Sequence, residues 1–72
     1  MTKLPRDVPG KKVIAALEKL GFSVRRVSGS HYLMVRGTYR TIVPYHKAVR
    51  TGTLKSILKQ AGLSADEIND LL

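Results

Sequence analysis

The reading of the fold turns on residues 22–44: Phe22-Ser23-Val24-Arg25-Arg26-Val27, then Ser28-Gly29-Ser30, then His31-Tyr32-Leu33-Met34-Val35-Arg36, then Gly37-Thr38, then Tyr39-Arg40-Thr41-Ile42-Val43, closed by Pro44. Three runs rich in β-branched and aromatic residues are separated by short glycine-bearing turns, which predicts three strands. Connections this short cannot carry a crossover, so neighbouring strands must be antiparallel, in a meander. Pro44 lacks the N–H a further ladder position needs and ends the third run. In the second run His31, Leu33 and Val35 share one face, while Tyr32, Met34 and Arg36 share the other. Both faces carry apolar side chains, so alternation alone leaves open which of them meets the rest of the molecule.

The flanking segments are helical in period. Before the strands, Val13, Ile14, Leu17 and Leu20 form one stripe, with Lys11, Lys12, Glu18 and Lys19 off it. Pro9-Gly10 opens that helix and Gly21 ends it as a left-handed residue, with Phe22 placed to fold back on the last turn. The segment before it, Met1–Asp7, reads as a loose lead. After the strands, 45–50 is a basic loop, and Thr51 or Thr53 is placed to cap a helix with stripe Leu54, Ile57, Leu58 and Ala61. Gly62-Leu63 repeats the Gly21-Phe22 ending. Ser64 and Glu67 have capping-box spacing, Leu63 and Ile68 that of a hydrophobic staple, which predicts a short last helix over 65–72. The expected class is α+β: helix, three antiparallel strands, helix and a small extra helix, with the helices on one face of the sheet. The opposite face is then free for a ligand or partner.

Seventy-two residues make room for one domain, 1–72, with one small core. The formal net charge is +8, and it is unevenly placed. All 13 Lys and Arg lie at or before Lys59, opposed there only by Asp7 and Glu18, so residues 1–63 carry a net +11. Asp66, Glu67 and Asp70 fall in the last nine residues. A body this positive draws polyanions and binds phosphates without regard to sequence. The chain has no Cys and two His, which excludes disulfides, thiol catalysis and zinc fingers. The longest apolar run, Val13–Leu17, is far short of a membrane span or a signal peptide, so an intracellular, soluble domain is expected.

The acids are scattered or serve as caps, which argues against metal-dependent hydrolysis, and none lies near either histidine in sequence to build a Ser-His-Asp relay. Gly21, Gly29 and Gly37 sit at turns and form no nucleotide-binding fingerprint. His31 stands where the Ser28-Gly29-Ser30 turn enters a strand, with Arg25, Arg26, Arg36 and Arg40 expected on neighbouring strands. An imidazole titrates near neutrality, and RNA brings its own nucleophile in the 2′-hydroxyl. Cleavage of RNA then needs only proton transfer and charge stabilisation. Ser28, Gly29 and Ser30 are candidate phosphate contacts, as turn amides often are. The bland alternative is a half-buried strand histidine with satisfied ring nitrogens. His46, with Lys47 beside it, is a candidate second acid/base or phosphate contact, or else a loop residue bonded to backbone. Tyr32, Tyr39 and Tyr45 suit either packing or stacking on unpaired bases.

The order of Leu20-Gly21-Phe22 after a helix, Gly29-Ser30-His31 with Met34 three residues on, Val43-Pro44-Tyr45-His46, and Gly52–Leu63 resembles the HicA family of bacterial and archaeal toxins. The likeness runs over roughly residues 4–72. It implies a double-stranded-RNA-binding-domain-like αβββα fold, mRNA cleavage centred on His31, and neutralisation by a HicB-type antitoxin. His46 matches the family's second histidine in place. Pro9-Gly10 departs from the small polar helix cap common there. The resulting expectation is the toxin of a type II toxin–antitoxin pair: a cytoplasmic, metal-independent endoribonuclease with no cofactor. Its RNA contacts would come from Arg25, Arg26, Arg36, Arg40 and Lys47. Its partners would be single-stranded or structured mRNA and an acidic HicB-type antitoxin that occludes His31, with Tyr32 or Tyr45 as anchors. No membrane and no small-molecule substrate are expected. The alternative is a non-catalytic RNA-binding module of the same fold; a DNA-binding regulator ranks below both, for want of helix–turn–helix spacing.

Overall fold

Ten residues, Gly10–Lys19, form α1 in the computed structural model, which describes residues 3–72. Pro9 precedes α1 as its N-cap and makes no side-chain cap bond; its fixed φ of −58° simply leads into the helix. Val13, Ile14, Ala16 and Leu17 turn inward, as the stripe requires. At the other end Gly21, at φ +97°, donates to Glu18 O, and Phe22 donates to Leu17 O at 3.0 Å. These are the two bonds of a Schellman motif, and they drive the Phe22 ring into the core.

Strands β1 (Ser23–Ser28), β2 (His31–Arg36) and β3 (Tyr39–Pro44) form one antiparallel sheet in the order β1-β2-β3. Each hairpin loop has two residues, Gly29-Ser30 and Gly37-Thr38. Only the glycine has positive φ in each, 59° and 60°, the pattern of a type II′ turn whose twist suits the sheet. The ladder pairs His31 with Ser28 and Pro44, Leu33 with Arg26 and Ile42, and Val35 with Ser23 and Arg40. A bulge between Val24 and Arg26 leaves Arg25 as the extra residue.

Burial settles the face that the sequence left open. Met34, Thr41 and Val43 are buried, so the Tyr32, Met34 and Arg36 side of β2 meets the helices. The side bearing His31, Leu33 and Val35 looks outward. Helix α2 (Thr51–Ala61) lies against β3, and the Thr41 hydroxyl donates to Gln60 Oε1 at 3.0 Å, satisfying the one buried polar side chain found among the described residues. Leu17, Met34, Leu54, Ile57 and Ile68 are fully buried at the centre of the single core cluster. Each contributes about 1.5–3 kcal/mol of burial.

Neither threonine caps α2. The helix begins at Thr51, its N-cap is Arg50, and no side chain accepts from the first turn. The exit does follow the sequence: Gly62, at φ +70°, ends α2 and Leu63 donates to Leu58 O. The Ser64–Glu67 capping box is present in both directions, at 2.9 Å and 3.3 Å, with Leu63 and Ile68 buried beside it as the staple. Backbone and then side-chain hydrogen bonds from Ser64 hold the Glu67 carboxyl below its ordinary range, and the Arg36 charge adds to this. Helix α3 (Ala65–Asn69) stops short of the expected 65–72; Leu71 and Leu72 pack on the core from outside it.

The lead is tied down further than its sequence suggests. Val8 and Val49 are buried and form an isolated antiparallel bridge, and Leu4 packs against the core. Met1 and Thr2, the start of that lead, lie outside the described residues. No described helix is long and apolar enough to cross a membrane.

Candidate functional site

The helices cover one side of β2 and β3, leave the other side of the sheet bare, and leave β1 exposed along its length. On the bare side His31 is exposed at the first position of β2, immediately after the Gly29-Ser30 turn. Its two cross-strand neighbours are Ser28 and Pro44, and it lines a shallow depression with Arg26, Ser28, Leu33 and Ile42. A second depression continues along the same face, lined by Arg25, Arg26, Leu33, Val35 and Arg40 among others. In a regular strand two consecutive arginines would point to opposite sides; the bulge brings both to this one. Leu33 and Ile42 face each other across β2 and β3, and Ile42 is 53% exposed. The face therefore offers an imidazole, three guanidinium groups, the Ser28 hydroxyl and a small apolar centre. The half-buried, satisfied histidine considered above is not what this side chain is.

Two of the sequence-derived contacts stand elsewhere. Arg36 is on the helix side of β2, and its Nη1 donates to Leu20 O at 2.7 Å, at the C-terminus of α1. Its guanidinium lies 5.0 Å from the Phe22 ring centroid and 6.0 Å from that of Tyr39. Its partners are thus a helix end and two rings, and it does not join Arg25, Arg26 and Arg40 around His31. Alternation carries this outcome, since Arg36 shares a face with Met34. Tyr32 is likewise half-buried on the helix side, and cannot anchor a partner that lies over the bare face; Leu33 and Ile42 occupy that position.

His46 and Lys47 follow β3 in an exposed loop that closes on α1, where Gly10 N–H donates to His46 O at 2.8 Å. They line a separate depression with Pro9, Lys11 and Tyr45, so the two histidines do not share a pocket. The loop is nevertheless tied to the His31 turn, because Tyr45 N–H donates to Ser30 O at 2.6 Å. The Tyr45 ring stacks on Tyr32 with centroids 5.2 Å apart and planes inclined by 24°. Among the described residues no three of His, Asp and Glu converge as a metal site.

A family model described as the HicA toxin of bacterial toxin–antitoxin matches residues 10–63, from the start of α1 to the end of the α2 cap. The chain belongs to the HicA toxin family. It is a toxin of the toxin–antitoxin kind, and the family implies an antitoxin partner. A search of curated proteins finds no significant match. The matched span includes every element that shapes the bare face of this HicA toxin, and its helix–sheet–helix order is the αβββα arrangement expected from the sequence.

Proposed function

We propose that this HicA toxin is a cytoplasmic, metal-independent endoribonuclease that cleaves mRNA through the RNA's own 2′-hydroxyl. The observation that carries the reading is the position of His31, exposed at a turn on the uncovered, arginine-bearing face. The 2′-oxygen attacks the adjacent phosphorus and the bond from phosphorus to the 5′-oxygen breaks. The products are a 2′,3′-cyclic phosphate and a 5′-hydroxyl. His31 takes the proton from the 2′-hydroxyl and returns one to the leaving oxygen, serving both steps because His46 lines a different depression. Arg26, with Arg25 and Arg40 beyond it, offsets the charge that grows on the phosphoryl oxygens. Ser28 and the amides of Gly29 and Ser30 hold the phosphate at the turn. The antitoxin, of HicB type and acidic, covers the same face through Leu33, Ile42 and the arginines, and so excludes RNA.

The missing second acid/base in the His31 depression favours one other reading, a module that grips RNA on this face without cutting it. One experiment separates them. Expression without a partner should arrest growth, and His31→Ala at equal soluble level should not. Purified protein should cleave RNA in EDTA, and His31→Ala should be slower by about 10²–10⁴-fold. Equal toxicity of the two forms removes His31 from the mechanism, 5′-phosphate ends refute the 2′-hydroxyl route, and tight binding without cleavage leaves the module.

A further inference from the structure

The loop after β3 holds a group that the chemistry at His31 does not use. Tyr45 is 47% exposed, yet its ring is fixed from behind by the stack on Tyr32 and its backbone by the bond to Ser30 O. Tyr45 lines an open depression together with Lys11 from α1, His46 and Lys47 from the loop, and Pro9. An exposed aromatic face already held in place loses little freedom when something flat is laid on it. Cations on either side suit the phosphates that flank a base, and every base has a π face to offer. A packing role alone accounts for the stacked face of Tyr45 and leaves its exposed part, and the two lysines that line the same depression, without a purpose.

We propose that Tyr45 is the platform of a nucleobase subsite, stacking one unpaired base of the RNA whose backbone passes His31, with Lys11 and Lys47 on the neighbouring phosphates. The inference rests on the RNA-directed reading of the bare face. The subsite sits at the end of the sheet where His31 and Pro44 pair, so a strand rounding that end can meet both positions. Stacking there fixes which phosphate comes to rest against the imidazole. It also requires single-stranded RNA at that point, because a paired base has no free face to give. Tyr45 is on this account a positioning residue.

The test uses the full chain carrying His31→Ala, so that RNA stays intact, and short single-stranded RNAs with 2-aminopurine or an abasic residue at successive positions. One position should show fluorescence quenching on binding. Adding Tyr45→Ala should abolish that quenching and weaken binding about 5- to 150-fold, the usual worth of one stacked base. Tyr45→Phe should restore both. With the abasic RNA at that position, Tyr45 and its alanine variant should bind alike. Thermal melts of each variant separate loss of stacking from loss of fold, and Tyr45→Phe keeps the question open to refutation even if Tyr45→Ala melts early. If Tyr45→Ala weakens base-containing and abasic RNA equally, the subsite is refuted while the RNA reading stands. If the parent binds no RNA at low salt, both fall together.

Discussion

Arg36 offers the sharpest contrast between a charge that serves the fold and one that serves the surface. Its guanidinium caps the α1 carboxyl end through Leu20 O and lies over Phe22 and Tyr39. A hydrogen bond from a charged donor contributes about 1.5–3 kcal/mol. A cation over an aromatic face at a partly exposed site adds about 0.5–1 kcal/mol. The two share one group and do not add fully, so Arg36→Ala should cost about 2 kcal/mol. In a domain of this size each kcal/mol moves Tm by about 4–8 °C, which places the expected drop at about 8–16 °C. Arg36→Lys should recover little of it, since an ammonium lacks the planar fork that bonds and stacks together. Arg26→Ala is the control: its Tm should stay within about 2 °C while RNA affinity at low salt falls. Thermal melts and RNA titrations on the two variants read both quantities. A stable Arg36→Ala protein with collapsed RNA binding would overturn the assignment and return Arg36 to the nucleic-acid face.

Gly62→Ala should destabilise by about 1–3 kcal/mol for its left-handed backbone alone. A Cβ there also meets the Tyr39 ring, 2.8 Å from Cζ, so Gly62→Ala with Tyr39→Ala should be less harmful than additivity predicts in urea unfolding. The Glu67 carboxyl is held below its ordinary value of 4.5, so its contribution is fully present above that pH and is lost as pH falls through the lowered value. Melting curves from pH 6 to 2 should therefore show an acid-side loss that Glu67→Gln flattens; an unchanged slope would show that the capping box does not couple to acid unfolding.

Local chemistry was the part of this fold that the sequence carried well. Short glycine-bearing turns marked the hairpins, although Ser28, read as part of the first turn, pairs with His31 as the last residue of β1, and the Gly21-Phe22 and Gly62-Leu63 endings marked the helix stops, because each depends on a few adjacent residues. The start of α2 misled: Thr51 and Thr53 are good caps in isolation, but the chain enters the helix at Arg50 with no side chain closing it. Which face of the sheet stays bare was ambiguous because Leu33 and Val35 are as apolar as Tyr32 and Met34, and only the packing of α2 against β3 decides between them. The position of His31 at the start of β2, directly after the turn, was legible from the glycine that precedes it. Arg36 was grouped with the surface arginines although alternation places it beside Met34, since a long side chain with a charged tip reads as surface even when its stem and head are spent on a helix end. The Val8–Val49 bridge joins residues 41 apart in sequence and leaves no local trace in either segment.

The bulge at Arg25 has a second effect, on the rim of the sheet. Strand β1 is an outer strand exposed along all six residues, the kind of border onto which another chain's strand can add. Two neighbouring guanidinium groups and a break in the pairing register interrupt that border midway. Copies of the toxin meeting along it would bring like charges together across a backbone that no longer presents an even row of donors and acceptors. The irregularity that aims two arginines at one face thus also makes that border a poorer template for a further strand.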